Sequence, residues 1–568
     1  MNYMRQKNMT STQDNIFPKA LIAVSYSDIF GKGDGDIAGI LKELPMIVVL
    51  SYVLKSHLTI HFSMYARDPH NKILDELCQD LYKPERTNLY RFRKQHDNHV
   101  ILYNTDSTLR MCFETLKFGY DLDHDDSQIT PTREEAIEIA KAYALCNRDW
   151  IESQKIESDV PETMLMLDLP VSEFKFHKDV KAAMYKASQF FQFCKANQVY
   201  DNYLAAFLED YGVNDWIEYI GRLFTLFHHS INKFAIQVNS NDVDTIKFFS
   251  NFTINRDWIR KIDNWNNPEA LQYLRNHFLI PFTNGIYYVI SPDLIVDKLY
   301  QGLKFMFFDS INRHGILQQN GKPFDKLPQF TDKLGEDFSE IALAYPLFNK
   351  SLSGWVDRII TGATFKQNGL NDGEPDLYIR LGKSLMLIEI KDLLFKREIQ
   401  SSSSPTEITN YINSRICKYP EKPHKGFGQI IDNIERLANG EFNKFDSDAS
   451  QVNVIYPVIV TTDNAYSALG VNAEIVKKAS EIMSNIGNKF GRRFISIPII
   501  LDIDTLINLS YLLSIGELDL FQIFNDYILQ CRGGLITFKA FAYERYLKDR
   551  VLTREESKFL FGTVFPEE

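Results

Sequence analysis

Between Glu374 and Asp392 the chain reads Glu-Pro-Asp-Leu-Tyr-Ile-Arg-Leu-Gly-Lys-Ser-Leu-Met-Leu-Ile-Glu-Ile-Lys-Asp. Leu377, Ile379 and Leu381 alternate with Asp376, Tyr378 and Arg380, the two-residue period of a half-buried strand. Leu385 to Ile390 is a second apolar run of strand length. The intervening Gly382-Lys383 suits a two-residue type II′ turn, because glycine takes the positive φ that the first turn position demands. Such a turn sets Leu381 opposite Ser384, and stepping outward brings Asp376 opposite Glu389. Opposed residues share one face of a sheet, with Cβ atoms about 4.5–5.5 Å apart, and Lys391 joins that face two residues on. Two adjacent carboxylates repel and weaken a hairpin unless a cation lies between them. The pattern therefore predicts a divalent-metal site with oxygen ligands, with Lys391 in reach of a phosphate or a water. The alternative is a surface hairpin that merely carries three charges.

Pro375-Asp376, twelve intervening residues and Glu389-Ile390-Lys391 resemble the signature of the PD-(D/E)XK nuclease superfamily, the restriction-endonuclease-like fold. The resemblance implies hydrolysis of phosphodiester bonds with Mg2+, for which Mn2+ can substitute. Asp376, Glu389, the carbonyl of Ile390 and an acid from a preceding helix would hold the metal, and Lys391 would assist catalysis. Leu334, Phe338, Ile341 and Tyr345 recur at helical spacing, so a helix is expected over 330–346, with Glu336 and Glu340 as candidate acids and Glu340 preferred. Gln429, in the first turn of a helix expected over 426–438, matches a position where many members carry a Gln or Lys facing the site.

The remaining elements extend that order. Trp355–Phe365 is expected as the strand before the hairpin, Glu407–Cys417 as a helix, Val452–Val460 and Phe494–Leu501 as buried strands, and 473–486 as a helix between them. The resemblance thus covers roughly residues 328–505. Arg415, Lys418, Lys422 and Lys425, with His424, form a cationic cluster that is a candidate contact for nucleic-acid phosphates. Its setting is acidic: the formal net charge of the chain is −11, which argues against non-specific coating of nucleic acid and requires any contact to be local.

The fold class expected is multidomain, mainly α in the N-terminal half, with an α/β restriction-endonuclease-like core of a mixed central sheet flanked by helices. The division expected is a mixed α/β region over 1–130, a helical domain over 131–315 for sensing or docking, the nuclease-like domain over 316–505, and a helical extension over 506–568. In the first region, 1–15 reads as a loose tail, Lys19–Ser25 as a short strand, 37–58 and 70–83 as helices, and His99–Asn104 as a hairpin. The Gly31–Asp36 run lacks phosphate-loop spacing and reads as a loop with Asp36 as a helix cap. Thr132-Arg-Glu-Glu135 is a capping box. The aromatics from Phe190 to Phe227 read as helical core rather than a base-stacking surface, His57, His61, His228 and His229 as ordinary packing or surface residues, and Asp293–Ile311 as one helix. Ser401–Ser404 reads as a mobile loop.

Six scattered cysteines without a Cys-x-x-Cys pair argue against a zinc site or a disulfide framework and fit a reducing cytoplasm. The N-terminus does not read as a signal peptide, and the apolar run Pro45–Leu54 is too short to span a bilayer. The expected function is a Mg2+-dependent DNA endonuclease of a prokaryotic restriction or anti-phage system, cytoplasmic, acting on nucleic acid and not on membranes. A homodimer, or a partner or trigger acting through the N-terminal half, fits that class. The alternatives are an inactive nucleic-acid-binding scaffold with a nuclease-like fold, and an RNase effector controlled by its N-terminal domain.

Overall fold

The computed structural model describes residues 22–562 except 34, 62–66, 122–129, 154–177, 319–320, 371–372, 395, 397–398, 400–403, 487–489, 491–492 and 549. The expected N-terminal tail and most of the serine loop lie outside the described residues.

The central sheet comprises β1 (Arg358–Thr361), β2 (Leu377–Leu381), β3 (Ser384–Lys391), β4 (Val454–Thr461), β5 (Phe494–Ile495) and β6 (Ile499–Asp502). The order is β5-β4-β3-β2-β1, and β6 also pairs with β4. β2 pairs antiparallel with both β1 and β3, whereas β3, β5 and β6 run parallel to β4. Phe494 pairs with Val454 and Ile499 with Val458, so β5 and β6 are two pieces of one interrupted outer strand. The hairpin has the expected register, from Leu381 opposite Ser384 to Leu377 opposite Ile388. Gly382 has φ +56° at the turn.

One expectation fails instructively: β2 is not half-buried. Leu377, Ile379, Met386 and Ile388 pack with Phe190, Phe338, Leu347 and Leu506 in a large core on one face. Tyr378, Leu385 and Leu387 pack with Ile412, Ile430, Ile434 and Ile475 on the other. The polar half of the alternation marks buried polar groups instead of solvent. Each such apolar side chain contributes roughly 1.5–3 kcal/mol by leaving water.

The chain leaves β3 at Lys391, returns along helix Phe427–Ala438, and enters β4 at Val454 beside Ser384. The helix Leu469–Ile486 makes the next crossover, to β5 and β6. Both helices bury their apolar stripes in the second core. The first core also takes in Val180–Ala196, Gln198–Tyr211, Trp216–Ser230, Gln301–Arg313 and the C-terminal Ile503–Ser514 and Leu520–Gln530. The aromatics at 190, 191, 203, 207, 219 and 227 are buried there, as expected, while Phe224 is exposed.

Several local expectations need correction. Val100–Ile101 is not a hairpin; it pairs in parallel with Ile22–Ala23, and Asn104 caps the helix Thr105–Phe118. Residues 37–58 form two helices, Ile37–Lys42 and Met46–His61, with Pro45 between them. Residues 293–311 are also divided, into Pro292–Leu299 and Gln301–Arg313, by Tyr300 at φ −143° and ψ −61°. Trp355–Phe365 yields only β1, followed by the helix Gly362–Gln367. The expected 330–346 helix is composite: α-helical from Leu327 to Leu334, π-helical from Gly335 to Ala344, then α-helical again from Tyr345 to Leu352. The Thr132–Glu135 capping box and the Asp36 cap form as expected. All six cysteines are free. Among the described residues, no helix is long and apolar enough to cross a membrane.

Candidate active site

The hairpin ladder ends one step short of Asp376 and Glu389, and Asp376 completes it with its side chain. Its Oδ2 accepts a hydrogen bond from the backbone N of Ile390 at 2.6 Å. The backbone of Asp376 is held from the other side, because its carbonyl accepts from the N of Gly362 at 2.8 Å. The packing there is close: a Cβ on Gly362 would lie 3.2 Å from the Pro375 carbonyl oxygen and 3.3 Å from Tyr345 Oη. A side chain there would push β1, Asp376 and the Tyr345 helix apart by a few tenths of an ångström.

Glu389 is fully buried. Its Oε2 accepts from Lys391 Nζ at 3.0 Å, while the equally buried Oε1 has no hydrogen-bond partner. An unsatisfied buried carboxylate oxygen costs about 1–3 kcal/mol or more, so the fold maintains it at a price in stability. Burial first, and then the charge of Asp376, push the Glu389 carboxyl up to about 8 against the opposing pull of Lys391. Glu340 is pushed up to about 8 in the same way, by burial and by Asp376. Asp376 is also raised by burial, against Lys391 and the Ile390 amide. Lys391 is raised as well, but toward its charged form: burial lowers it, and Glu389 and Asp376 outweigh that and hold it protonated.

Glu340 therefore joins the cluster from the π-helical segment. Glu336, exposed, lies at its edge and acts on Glu340 by charge. The i→i+5 bonding of a π-helix means that residues four apart no longer stack as they do in an α-helix, which separates the two candidates.

Tyr345, read from helical spacing only as part of an apolar face, belongs to the cluster as well. It stands at the start of the following helix, and its phenol is kept protonated by burial and by the charges of Asp376, Glu340, Glu389 and Glu374. Lys366 pairs with Glu374 at 2.9 Å on the rim of the same cluster. Asp392, next to Lys391, was also overlooked. It takes Lys304 Nζ at 2.8 Å on both oxygens and hydroxyl donors from Ser339 and Thr462. Burial alone would raise the Asp392 carboxyl, but Lys304 and these donors bring it below the usual range. This network fixes the exit of β3 to the helix Gln301–Arg313 and to the π-helical segment.

Gln429 does not join the carboxylates by any hydrogen bond. Its Oε1 accepts from the backbone N of Gly426 at 2.9 Å, closing the N-terminus of its own helix. Arg415 ends the helix Pro405–Arg415, Lys418, Lys422 and Lys425 lie on the loop between that helix and Phe427–Ala438, and His424 pairs with Asp432 at 2.8 Å. Asp463, which follows β4, caps the short turn Asn464–Ser467.

Among the described residues no group of three or more His, Cys, Asp or Glu side chains is placed to hold a metal ion, so a divalent cation would have to rely on fewer protein ligands. Asp376, Glu389 and the nearby Glu340 offer hard oxygen donors, one of them a buried oxygen without a partner. Mg2+ characteristically uses one or two carboxylates and retains several waters, so a complete cage is not required. No protein-family model, curated protein or solved structure matches the chain.

Proposed function

We propose that the protein is a Mg2+- or Mn2+-dependent nuclease with a PD-(D/E)XK-type core, hydrolysing phosphodiester bonds at Asp376, Glu389 and Lys391. DNA is the substrate proposed, in a restriction or anti-phage setting. The observation that carries the reading is the orphaned Oε1 of Glu389, buried beside Asp376 with Lys391 as the adjacent cation. With Asp376, Glu389 and Glu340 set against Lys391, this cluster carries an excess of carboxylate that a divalent cation would neutralise. The order of helix, three strands, helix, strand, helix, strand supports the same core.

When bound, the cation would polarise a phosphoryl oxygen and lower the pKa of a water. Asp376, Glu389, Glu340 and the Ile390 carbonyl would hold it. Lys391, held protonated, acts as a donor that orients the phosphate or the attacking water and offsets charge in the transition state. Glu340 and Glu389 titrate at about 8 without metal and must lose their protons to become ligands. The π-helical segment and the Lys304–Asp392 pair bring the helical part of the chain to the site, giving a partner or trigger a route to it.

The test is incubation of plasmid, linear duplex, single-stranded DNA and RNA with Mg2+, Mn2+ or EDTA, comparing wild type with Lys391→Ala. Cleavage that requires metal and Lys391 is expected. Cleavage unchanged in a folded Lys391→Ala protein would refute the proposal.

A further inference from the structure

The crossover that follows β3 carries a second feature of interest. The chain leaves the sheet at Lys391 and comes back along Phe427–Ala438 to enter β4 beside Ser384. Segment 416–426, ahead of that helix, therefore lies at the same end of the sheet as Glu389 and Lys391. Ligands of such sheets collect at the carboxyl ends of the parallel strands.

The loop is tightly built. Phe427 N donates to Ile416 O at 2.7 Å and Lys425 N to Lys418 O at 3.3 Å, which close it across its base. A Cβ on Gly426 would lie 2.3 Å from Ile416 O, and one on Gly428 2.3 Å from Lys418 O, so the strands of the loop touch backbone to backbone. His424 latches its tip, with Nδ1 against Asp432 at 2.8 Å and Nε2 against the Pro420 carbonyl at 3.0 Å.

On this frame stand Arg415, Lys418, Lys422 and Lys425. Among the described residues none of the four pairs with a carboxylate. Lys418 Nζ lies 3.5 Å from the Lys422 carbonyl, and Arg415 packs over the Tyr411 ring at 5.9 Å. Lys422 is exposed and the others are half-buried. Three lysines on one closed loop, with Arg415 at its base and Glu421 as the loop's one carboxylate, make a local positive tract in a chain of net charge −11.

We propose that this loop is a preorganised dock for the phosphate backbone of nucleic acid, holding the substrate at the carboxyl end of β3 without reading its bases. The proposal rests on the nuclease reading for its purpose, but binding can be measured without cleavage. Lysines recognise phosphate as point charges, and the closed loop spares them part of the ordering cost that a flexible arm would meet on binding.

The experiment is fluorescence anisotropy of the full chain with labelled duplex DNA, single-stranded DNA and RNA in EDTA, across a salt series. Wild type is compared with a Lys418→Gln/Lys422→Gln/Lys425→Gln triple, with Lys422→Glu alone, and with a control triple, Lys233→Gln/Lys261→Gln/Lys477→Gln. The loop triple is expected to bind at least about tenfold more weakly and to lose about 3 from the duplex log–log salt slope. Lys422→Glu, a change at an exposed side chain, is expected to weaken binding about threefold or more, and the control triple to leave it unchanged. The nucleic acid bound most tightly identifies the substrate class. Equal affinity and slope in wild type and loop triple, or equal weakening by the control triple, would overturn the proposal. So would the absence of binding to all three nucleic acids, or a preference for anionic vesicles over nucleic acid. Binding that needs the loop, together with no metal-dependent cleavage, would leave the dock standing and remove the nuclease.

Discussion

The two ends of one hairpin treat buried charge in opposite ways. At the turn end Arg380, 5% exposed, meets Asp446, 1% exposed, at 2.5 and 3.1 Å. Tyr378 Oη donates to the same carboxylate at 2.9 Å, and Asp357 and the Gly382 carbonyl take another guanidinium nitrogen at 3.0 Å each. Burial would raise the Asp446 carboxyl, yet these donors bring it below the ordinary range. At the open end, a few residues away on the same strands, the carboxylates are raised, and one oxygen of Glu389 has no donor. The first arrangement stabilises a fold. The second costs stability, and raised carboxyls of this kind concentrate at functional sites.

Removing the open-end charges should separate activity from stability most sharply. Asp376→Asn, Glu389→Gln and Lys391→Ala are each expected to reduce metal-dependent cleavage on the order of 10³-fold or more, with circular dichroism unchanged. Substantial cleavage by any of them, correctly folded, contradicts the role assigned to that residue. At the turn end the effect should fall on stability instead. Asp446→Ala leaves the Arg380 guanidinium buried without its main partner, which costs about 3–5 kcal/mol in denaturant unfolding, while activity per folded molecule is kept. A loss below 1 kcal/mol would show that the network is not what holds the hairpin.

Tyr345→Phe probes a smaller part of the open end. The phenol stays neutral among four carboxylates and is available as a donor to the substrate phosphate. Its loss is expected to cut the turnover rate by about 10–100-fold, in the range of one transition-state hydrogen bond, with little change in Tm. An unchanged rate would leave it a packing residue. The mildest effect is on pH dependence. Glu389 and Glu340 are protonated in the folded, metal-free chain below about 8, so the fold binds more protons than the unfolded chain does. That contribution is fully present below the unfolded carboxyl pKa, about 4.3, and disappears as pH rises through about 8. Metal-free wild type should therefore lose Tm across this window, and Glu389→Gln should lose less, by roughly 2–4 °C. Parallel curves would show that Glu389 is not strained by burial.

Much of the open end was legible because its information is local. The hairpin register follows from Gly382-Lys383, and Asp376, Glu389 and Lys391 lie within sixteen residues of one another. The helix that carries Glu340 follows from apolar spacing and the choice of an acid on it from the resemblance, although the π-helical geometry was not foreseen. The turn end was illegible for the opposite reason: Arg380 looked like a solvent-facing residue because its partner Asp446 lies 66 positions away and no short-range pattern links them. Tyr345 and Lys304 reach the site across tertiary contacts in the same way. The parallel pairing of Ile22–Ala23 with Val100–Ile101 was likewise hidden, since two-residue strands have too little periodicity to read. Gln429 shows the converse error: its place in the helix was right, but its carboxamide serves the backbone of its own first turn.

Whether the open end binds a divalent cation can be asked without any substrate or trigger, by calorimetric titration of Mn2+ into wild type and Glu389→Gln at about pH 7 in two buffers of different ionisation enthalpy. The account predicts Mn2+ binding to wild type with release of protons, because Glu389 and Glu340 start protonated, and loss of both the binding and the proton release in Glu389→Gln. No Mn2+ binding to the wild-type chain, or the same binding in the variant, would contradict it.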